Sequence, residues 1–343
     1  MDLPAVVTRY RAQVDAQLRS VLAGGDSSLY DMLRYHMGWL DEEFRPTEAG
    51  SGKGVRPALC LFACEAVGGD WNQALPAAAA IELIHNFSLI HDDIQDGDTE
   101  RHHRPTVWYR WGLSHGINSG AAMNVLANMA LFDETEPPTP AATTLKVSRI
   151  LNCACAEMIE GQTLDLSFEG RASVSTDDYL LMISKKTGAL LESSLHMGAA
   201  IGTDDEDRIE GMRRFGKRIG RLFQVRDDML GVWAAAEATG KPAASDLYRR
   251  KKSLPVVHAL EHVGDSAASR RFPEIYGSKA PLSESDVAEL LAIMDELKTH
   301  EFCQGLAEQE AGRSMEEIDG LKISGDARRE CRDLVTFLAE REY

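Results

Sequence analysis

The sequence is poor in three features that mark large classes of proteins: paired cysteines, long apolar runs and positive charge. Its six cysteines include no Cys-x-x-Cys spacing and no regular framework, so we expect free thiols and a reducing compartment. No stretch approaches the roughly 18 uninterrupted apolar residues of a membrane span, and residues 1–22 lack the apolar core of a signal peptide. We therefore expect a cytoplasmic protein without stable membrane insertion.

Positive charge is the third feature in which the sequence is poor. Lysine and arginine together number 37 against 54 acidic residues, and the formal net charge is −17. Nucleic acid and anionic membrane surfaces both bind to basic faces, so this balance argues against either as the main partner. A polyanionic substrate must therefore be captured by a local group of cations or by metal ions.

Strand-type alternation is almost absent as well, whereas helical periodicity recurs along the chain. The hydrophobic content of 44% is ordinary for a globular protein. We expect an all-α protein with one domain over residues 1–343 and with polar connections at 134–144 and 264–281. The predicted helices cover residues 8–22, 56–67, 75–93, 121–131, 142–168, 177–201, 205–232, 252–261, 285–298 and 326–340.

An acidic cluster ends the predicted helix at 75–93. Asp92, Asp93 and Asp96 form a DDxxD pattern, and the helical repeat places Asp92 and Asp96 one turn apart on one face. Carboxylates so close repel each other, and a bound cation would remove that repulsion. An all-oxygen set of ligands favours Mg²⁺. The spacing alone fits a solvated helix end with three acids equally well.

A second acidic pair, Asp227 and Asp228, ends another apolar helix. Two such clusters suggest one divalent-metal site between two helices of a bundle. Gln224 lies one turn before the pair and offers an amide to a phosphate or to a metal-bound water. Gly216 and Gly220 continue the same face, where we expect them to serve close helix packing rather than to bind a ligand.

Lysines and arginines stand near both acidic clusters and at one glycine-rich turn. Lys53 and Arg56 in GSGKGVRP open a predicted helix, where backbone N–H groups and the helix dipole favour anions. A surface position is the ordinary explanation for any single lysine or arginine. A set that accompanies two acidic clusters instead suits a diphosphate bound together with metal ions. The second set comprises Arg101, Arg104, Lys186, Lys241, Lys251 and Lys252.

These stretches together resemble the trans-isoprenyl diphosphate synthases, the polyprenyl synthetase family. The similarity covers nearly the full length and rests on the joint order and spacing of the motifs. They are GKGVRP, IELIHNFSLIHDDIQD, RHHRPTVW, GQTLDLSFE, KKTGALL, FQVRDDMLG, GKPAASDLYRRKKSLPV and LVTFLAEREY. The resemblance implies an isoprenoid synthase-type helical bundle around a deep central cavity, usually a homodimer. It also implies three Mg²⁺ ions between the two aspartate motifs, with Mn²⁺ as an alternative ion.

The resemblance further implies roles for single residues. Asp92 and Asp96 would bind two metal ions, Asp227 the third, and the hydroxyl of Thr187 would stabilise a carbocation. Isopentenyl diphosphate would be bound by Lys53, Arg56 and His85. The allylic prenyl diphosphate would be bound by Arg101, Lys186, Gln224 and Lys241, to which we add Lys251 because it closely follows the second cluster. The predicted catalytic residues are Asp92, Asp96, Arg101, Lys186, Thr187, Asp227 and Lys241.

The implied reaction needs no protein base. Metal ions and cations neutralise the departing diphosphate, and the alkene of isopentenyl diphosphate attacks the allylic carbocation. Diphosphate itself then takes the proton, since the sequence offers no evident general base for this step.

Product length depends on the depth of the cavity below the first cluster. Ser88 lies four residues before Asp92, about one turn further along the same face, and is too small to block a channel. Phe87 is bulky but rotated away by roughly 140°. An aromatic residue with a small neighbour resembles family members that make geranylgeranyl diphosphate, so we predict a twenty-carbon product with a fifteen-carbon one as the alternative. The alternatives are that Phe87 is simply part of the core and that the floor of the channel lies on another helix.

Three positions depart from the family pattern. His102 replaces the second arginine after the first motif, and an imidazole cannot reproduce the bidentate, always-charged grip of a guanidinium. Either isopentenyl diphosphate binds more weakly or Arg104 compensates. Gly231 removes the last carboxylate of the second motif, which matters less because Asp227 remains. Ala244 stands where relatives often have glycine.

Two other functions remain open from the sequence. A class I terpene cyclase of the same fold would ionise a prenyl diphosphate without isopentenyl diphosphate, which suits His102 but not the retained Lys53, Arg56 and His85. A non-catalytic subunit of a heteromeric synthase is disfavoured because both motifs keep their leading aspartates. We therefore expect a Mg²⁺-dependent prenyltransferase that makes a short-chain trans-prenyl diphosphate.

Overall fold

The part of the chain that the structure describes is almost entirely helical, as the periodicity predicts. The computed structural model describes residues 4–47, 52, 54–171, 173–234, 244–264, 269–278 and 280–341. The first helices are α1 (Ala5–Thr8), α2 (Arg11–Leu22), α3 (Ser28–His36), α4 (Val55–Ala66) and α5 (Leu75–Gln95), which follows a 3₁₀ turn at Trp71–Ala74. A hairpin of β1 (Glu100–Arg101) and β2 (Arg104–Pro105) precedes α6 (Val107–Trp111), α7 (Leu113–Ala130), α8 (Ala141–Glu169) and α9 (Thr176–Ile183).

The remaining helices follow a short π-helical segment, Ser184–Gly188, that joins α9 to α10. They are α10 (Ala189–Gly202), α11 (Glu206–Trp233), α12 (Ser245–Tyr248), α13 (Leu254–Glu261), α14 (Arg271–Gly277), α15 (Glu284–Glu296), α16 (Thr299–Gly320) and α17 (Gly325–Glu340). The long α8, α11 and α16 surround the inner helices, and α17 closes one side against α11 and α16.

The core is built around α4, α5 and α10, which have buried residues on all their faces, as expected for helices inside a bundle. Helix α10 packs against α4 on one side and against α11 on the other. Glycine makes the first of these contacts close, because a Cβ at Gly198 would lie 1.9 Å from the carbonyl oxygen of Cys60. The backbones of α4 and α10 therefore touch.

Helix α5 passes through this core and brings the first aspartate cluster to its end. Pro76 lies in its first turn, where no amide donor is needed. The helix remains mostly buried up to Ile90, and polar residues follow. Because the apolar run stops where the helix leaves the core, Asp92 and Asp96 lie at the edge of the bundle.

The predicted ends of the long helices are confirmed to within two residues for α5, α8 and α11. The prediction at 177–201 is only partly right, because the π-helical segment divides it. Helices α3 and α16 were not predicted, and neither were the short α1, α6, α12 and α14. Helix α16 buries small or polar residues such as Cys303, Ala307 and Glu310, so its sequence shows little contrast between an apolar and a polar face. The connection predicted at 264–281 contains the short α14.

Two further expectations can be compared with the structure. Among the described residues, no helix is both long enough and apolar enough to cross a membrane. The six cysteines are free thiols, and five of them are buried. The expectation of unpaired cysteines is therefore confirmed.

Candidate active site

The first aspartate cluster occupies the last turn of α5. Asp92 and Asp93 belong to the helix, and Asp96 is its C-cap, with its N–H donating to the carbonyl of Asp92 at 2.8 Å. These acids face the negative end of the helix dipole as well as each other. Burial raises the pKa of Asp92 to about 6, against the opposing charge of Lys186 and with a further contribution from Asp96. A bound cation would remove this cost, so the environment favours a metal site over a solvated helix end.

Asp93 has a different role from its neighbours. Its side chain is only 2% exposed, and its Oδ1 accepts from Nε and Nη2 of Arg101 at 2.8 and 2.7 Å. Both residues line the central cavity. Arg101, predicted to bind the allylic diphosphate, therefore already has one carboxylate partner and stands between the first cluster and the cavity.

The two aspartates of the second cluster have contrasting environments on α11. The carboxylate of Asp228 is fully buried and accepts from the hydroxyl of Tyr179 and from Nε2 of Gln224, the latter at 2.9 Å. The backbone N–H of Leu254 donates to the same carboxylate at 3.2 Å. The side chain of Asp227 is 52% exposed. Asp228 therefore ties α9, α11 and α13 together, and Asp227 is left as the carboxylate that can bind a ligand.

Lys186 and Thr187 lie in the π-helical segment between α9 and α10. Such segments are rare in proteins, but those that occur are often found at functional sites. The Nζ of Lys186 pairs with Oδ2 of Asp165 on α8 at 2.6 Å. The hydroxyl of Thr187 donates to Oε1 of Gln224 at 2.7 Å. A hydrogen-bonded chain thus runs from Thr187 through Gln224 to Asp228, and Asp165 is a site residue that the sequence analysis missed.

The glycines of α11 serve packing, as expected. A Cβ at Gly216 would lie 2.8 Å from the Cα of Glu192, and one at Gly220 would lie 2.9 Å from the Cα of Gly188. Both distances are too short for a side chain. The glycines therefore allow α11 to approach α10 and the end of the π-helical segment, which keeps Thr187 within reach of Gln224.

Lys251 contacts the second cluster from the segment before α13. Its Nζ lies 3.6 Å from Oδ1 of Asp228 and 3.6 Å from Oδ2 of Asp246. Burial opposes its charge, but these two carboxylates outweigh burial and raise its pKa. Asp246 also fills the space next to Gly231, where a Cβ would lie 2.4 Å from Oδ2 of Asp246. A carboxylate from α12 therefore stands beside the position at which the second motif lacks one.

A cavity of about 470 Å³ lies between α3, α4, α5 and the hairpin. Arg56 in the first turn of α4 and His85 on α5 both line it, as predicted for the isopentenyl diphosphate site. The Nε of Arg56 is buried without a hydrogen-bond partner among the described residues. Burial lowers the pKa of Arg56, with Glu82 acting in the opposite direction. A buried guanidinium with an unpaired nitrogen suits an anionic ligand.

Two predicted residues cannot be placed. Lys53, which precedes α4, and Lys241, which follows α11, both lie outside the described residues. Their roles stay predictions from the resemblance.

Arg341, at the end of α17, is a further cavity residue that the sequence analysis missed. It is 5% exposed, and its Nη2 donates to the carbonyl of Phe223 at 2.9 Å and lies 3.7 Å from Oδ1 of Asp227. Burial lowers its pKa, and Asp227 opposes that shift. The closing motif was recognised, but no spacing rule singles out an arginine just beyond a helix.

The hairpin turn brings His102 to the cavity at a conformational cost. His102 and His103 both adopt left-handed backbone angles, with φ of 51° and 60°, which a two-residue turn of this type favours for asparagine and glycine. The guanidinium of Arg104 donates to the carbonyls of Tyr35 and Leu40, at 3.0 and 2.5 Å. Arg104 therefore fastens the hairpin to the end of α3, and this argues against its replacing the missing second arginine.

Phe87 and Ser88 lie on α5 before the first cluster. Phe87 is 7% exposed and belongs to the core, where its ring packs edge-on against His91. The hydroxyl of Ser88 donates to the carbonyl of His85 at 2.8 Å. Neither residue lines the 470 Å³ cavity, so their role in product length stays a prediction.

The donor set at the two clusters fits magnesium. The carboxylates of Asp92, Asp96 and Asp227 offer only oxygen, which Mg²⁺ prefers. Among the described residues, no three His, Cys, Asp or Glu side chains converge on one point. This agrees with the ordinary habit of Mg²⁺ in proteins, which takes one or two carboxylates and completes its coordination with water and substrate phosphates.

Comparison with known proteins agrees with these features. The family model for polyprenyl synthetase matches residues 38–294. A (2E,6E)-farnesyl diphosphate synthase of Mycobacterium tuberculosis is 36% identical over 328 residues, which cover 95% of this chain and 89% of the relative. The crystal structure of a polyprenyl synthetase from Streptomyces coelicolor A3(2) superimposes with a TM-score of 0.91 at 36% identity, over 97% of this chain and 98% of that one.

A third similar protein was solved with ligands. It is a geranylgeranyl pyrophosphate synthase from Corynebacterium glutamicum, complexed with isoprenyl diphosphate and magnesium, with a TM-score of 0.80 and 25% identity over 99% of this chain and all of that one. The family match spans three-quarters of the chain and includes both aspartate clusters and the cavity residues Arg56, His85 and Arg101. The chain therefore belongs to the polyprenyl synthetase family.

Proposed function

We propose that this chain is a Mg²⁺-dependent trans-prenyltransferase that condenses isopentenyl diphosphate with an allylic prenyl diphosphate to make a short-chain trans-prenyl diphosphate. One observation supports a reaction of two substrates in particular. The cavity lined by Arg56 and His85 reaches Asp227 of the second cluster and the Arg101–Asp93 pair beside the first cluster. One site thus joins two regions that suit anions, namely the cavity and the space beside the aspartate clusters. A terpene cyclase would need only the place beside the aspartates, and the diphosphate synthases among the similar proteins also disfavour it.

The allylic diphosphate is assigned to the space between the two aspartate clusters. We infer that Asp92 and Asp96 hold two Mg²⁺ ions and Asp227 a third, with Mn²⁺ able to replace them. When bound, these ions neutralise the diphosphate that departs from the allylic carbon. Lys186 and Lys241 would place further positive charge beside the departing diphosphate. The hydroxyl of Thr187, which donates to Gln224, would present its oxygen to the allylic cation.

Isopentenyl diphosphate is assigned to the cavity, where Lys53, Arg56 and His85 hold its diphosphate and orient its alkene towards the allylic carbon. Orientation of this kind converts an encounter of two molecules into a reaction within one complex. As the allylic C–O bond breaks and the new C–C bond forms, a proton leaves the former alkene. The released diphosphate accepts that proton.

The product is assigned as geranylgeranyl diphosphate, with farnesyl diphosphate as the alternative, and the names of the similar proteins include both. The prediction for the twenty-carbon product rests on Phe87 and Ser88. Replacing Ser88 by phenylalanine would bring a ring one turn below Asp92 and should shorten the product by five carbons, as measured by chromatography of the dephosphorylated prenyl alcohols. An unchanged product would place the floor of the channel on another helix.

A homodimer in the cytoplasm, with each chain acting as one domain, completes the proposal. Helices α7 and α8 and the turn that follows α7 expose several large apolar side chains, which suits contact with a second chain. These are Leu113, Ile117, Val125, Met129, Phe132, Leu145 and Ile159. Sedimentation equilibrium should show twice the chain mass, and Val125→Asp together with Met129→Asp should lower it to one chain. The unpaired cysteines agree with a reducing compartment.

One incubation tests the proposed reaction. Purified protein is supplied with Mg²⁺ and farnesyl diphosphate, with and without isopentenyl diphosphate, and the prenyl diphosphates and hydrocarbons are separated. We expect chain elongation only with isopentenyl diphosphate. Abundant hydrocarbon or alcohol without it, and no elongation with it, would overturn the proposal in favour of a cyclase.

A further inference from the structure

Three imidazoles meet on one wall of the cavity, and each comes from a different element. His36 is the last residue of α3, His85 lies on α5, and His102 lies in the hairpin turn. The resemblance assigns His85 to the isopentenyl diphosphate site and places His102 where the family pattern has an arginine. His36 lies outside the motifs that carry the resemblance.

The position of His36 is fixed by contacts between α3 and the hairpin. Nη1 of Arg104 donates to the carbonyl of Tyr35, and the hydroxyl of Tyr35 donates to the carbonyl of Pro105 at 2.7 Å. These bonds hold the end of α3 against the turn that contains His102. Because Arg104 also lies 4.1 Å over the ring of Tyr35, its guanidinium is used in this junction. The wall must therefore supply its positive charge to a ligand through other groups.

The charges around His36 disfavour its protonation when no anion is bound. Burial lowers the pKa of His36 to about 3, and the positive charge of Arg101 adds to the shift. A hydrogen bond with Asn86 acts in the opposite direction, as does the C-terminal end of α3, where a helix favours a cation. The charged and titratable groups that face this wall are Arg56 of α4, Glu82 and His85 of α5, Asp93, Arg101, His102 and Arg104 at the hairpin, and Asp227 and Arg341 on the far side.

His85 is subject to the same forces. Burial lowers its pKa well below the ordinary value, and Arg56, Arg101 and His36 add to the effect. Glu82 and Asp93 are the carboxylates that face this wall; burial raises the pKa of Glu82, and Asp93 is already paired with Arg101. Three arginines stand against these two carboxylates, and the wall holds imidazoles that can accept protons once an anion arrives.

A bound diphosphate would reverse the balance of charge that disfavours the protonation of His36. An opposite charge within about 4–6 Å shifts a pKa by 1–3 units towards the charged form, and a diphosphate also offsets the repulsion from Arg56 and Arg101. We propose that His36 is a further binding residue for the diphosphate of isopentenyl diphosphate, and that it gains a proton when this diphosphate binds. This inference rests on the proposed function of the cavity.

The pH dependence follows from the direction of the change. The pKa of His36 is higher in the complex than in the free protein, so protonation favours binding. The contribution of His36 to affinity is present at low pH and is lost as the pH rises through the pKa of the complex. An arginine in the same place would remain charged and would give no such dependence.

Calorimetry on the whole protein tests the proposal directly. Isopentenyl diphosphate is titrated alone at pH 5.5, without an allylic substrate so that no turnover occurs, in two buffers that differ in their heat of ionisation. The difference in heat gives the number of protons taken up. The same titrations are made with His36→Gln and with a control, His103→Asn, in the hairpin turn beside His102, where the side chain of His103 is exposed and does not line the cavity. Protons exchanged by the ligand itself cancel in the comparison.

We expect the wild type and His103→Asn to take up about 0.5–0.7 proton more than His36→Gln at pH 5.5, because a shift of about 3 units starts from a pKa of about 3. We also expect His36→Gln to bind isopentenyl diphosphate about 2–4-fold more weakly at pH 5.5 and to differ less at pH 8.5. Equal proton uptake by all three proteins, or a loss of affinity in His36→Gln that is the same at both pH values, would show that His36 does not gain a proton from this ligand.

Steady-state kinetics of the wild type give a second test that needs no variant. The KM for isopentenyl diphosphate should rise about 4–10-fold between pH 5 and 8 beyond the change in the KM for the allylic substrate. A parallel change in both constants would contradict the proposal. Failure of the proposed function itself looks different, since the wild type would then neither bind isopentenyl diphosphate nor elongate an allylic diphosphate.

Discussion

The metal side of the site, formed by the aspartate clusters with Lys186 and Lys251, differs from the cavity in how its cations are balanced. Lys186 is paired with Asp165, and Lys251 lies between two carboxylates. In the cavity, Arg56 has a buried nitrogen without a partner among the described residues, and the imidazoles face other positive groups. The lysines beside the aspartate clusters are therefore already paired with carboxylates, so this side of the site needs metal ions to attract a diphosphate. The cations of the cavity are less fully paired, so the cavity can attract a diphosphate directly.

The largest effect should come from removing a carboxylate at the first cluster. Asp92→Asn keeps the shape but cannot balance a metal ion, so we expect kcat to fall roughly a thousandfold, equivalent to about 4 kcal/mol. The concentration of Mg²⁺ needed for half-maximal rate should rise as well. Asp177→Asn, at an exposed acid on α9, is the control and should match the wild type. A loss smaller than tenfold would mean that the first cluster does not bind an essential metal.

The two aspartates of the second cluster should separate stability from metal binding. Asp228→Ala leaves Tyr179, Gln224 and Lys251 without their buried partner, and we expect the free energy of unfolding to fall by about 3–4 kcal/mol. Asp227→Asn removes a half-exposed carboxylate and should leave unfolding in urea nearly unchanged while raising the Mg²⁺ requirement. The reverse order of stabilities would contradict the assignment of Asp228 as the structural member of the pair.

Two arginines in the cavity should respond in opposite directions. Arg104→Met leaves the carbonyls of Tyr35 and Leu40 without a donor and should lower the free energy of unfolding by about 2 kcal/mol. Arg56→Met removes a buried and poorly balanced cation, so we expect stability to rise by about 0.5–1 kcal/mol and the KM for isopentenyl diphosphate to rise roughly tenfold. Chemical denaturation and initial rates measure these effects. If Arg56→Met were as destabilising as Arg104→Met, this would contradict the inference that Arg56 is a poorly balanced buried cation.

Restoring the common second motif should not improve this protein. Gly231→Asp would push a side chain into the carboxylate of Asp246, with a Cβ only 2.4 Å from Oδ2. We expect a loss of about 1–2 kcal/mol in stability from the close contact and the added like charge. The Mg²⁺ requirement should stay the same or increase. Tighter Mg²⁺ binding by Gly231→Asp, with unchanged melting temperature, would show that Asp246 does not occupy the place of the missing carboxylate.

The smallest effect should be a gain at Ala244, which precedes α12. Its φ is 55° and its side chain is buried, and the left-handed region costs a residue with a Cβ about 1–2 kcal/mol. Glycine avoids that cost but loses more freedom on folding. We expect Ala244→Gly to stabilise the protein by about 0.5–1 kcal/mol, measured as a rise in melting temperature. Ala244→Val should lower it.

Much of this architecture could be predicted from the sequence because the long helices bury continuous apolar faces. The ends of α5 and α11 were predicted to within two residues, since the helical repeat of apolar residues continues up to those points. Helix α16 was missed because its inward face includes Cys303, Ser314 and Glu310, which do not stand out as apolar. The π-helical segment was missed because no spacing in its sequence separates it from an α-helix.

The site was predictable to the extent that it depends on charge and spacing. The choice of Asp227 over Asp228 came from the resemblance, and the burial of Asp228 now gives a physical reason for it. Asp165 and His36 could not be found in advance, because each matters only through a neighbour that is distant in the sequence. Such contacts are decided by how the helices pack, which the periodicity of a single helix does not specify.

The lining of the central cavity has a consequence for the way the protein is made. Val7 and Arg341 both contribute to it, so the cavity joins residues from nearly opposite ends of the described chain. The chain is synthesised from its N-terminus, and no fragment that lacks α17 can enclose this space. Both aspartate clusters are therefore synthesised before the site can close, and the ability to hold a reactive allylic cation away from water arises only when α17 docks.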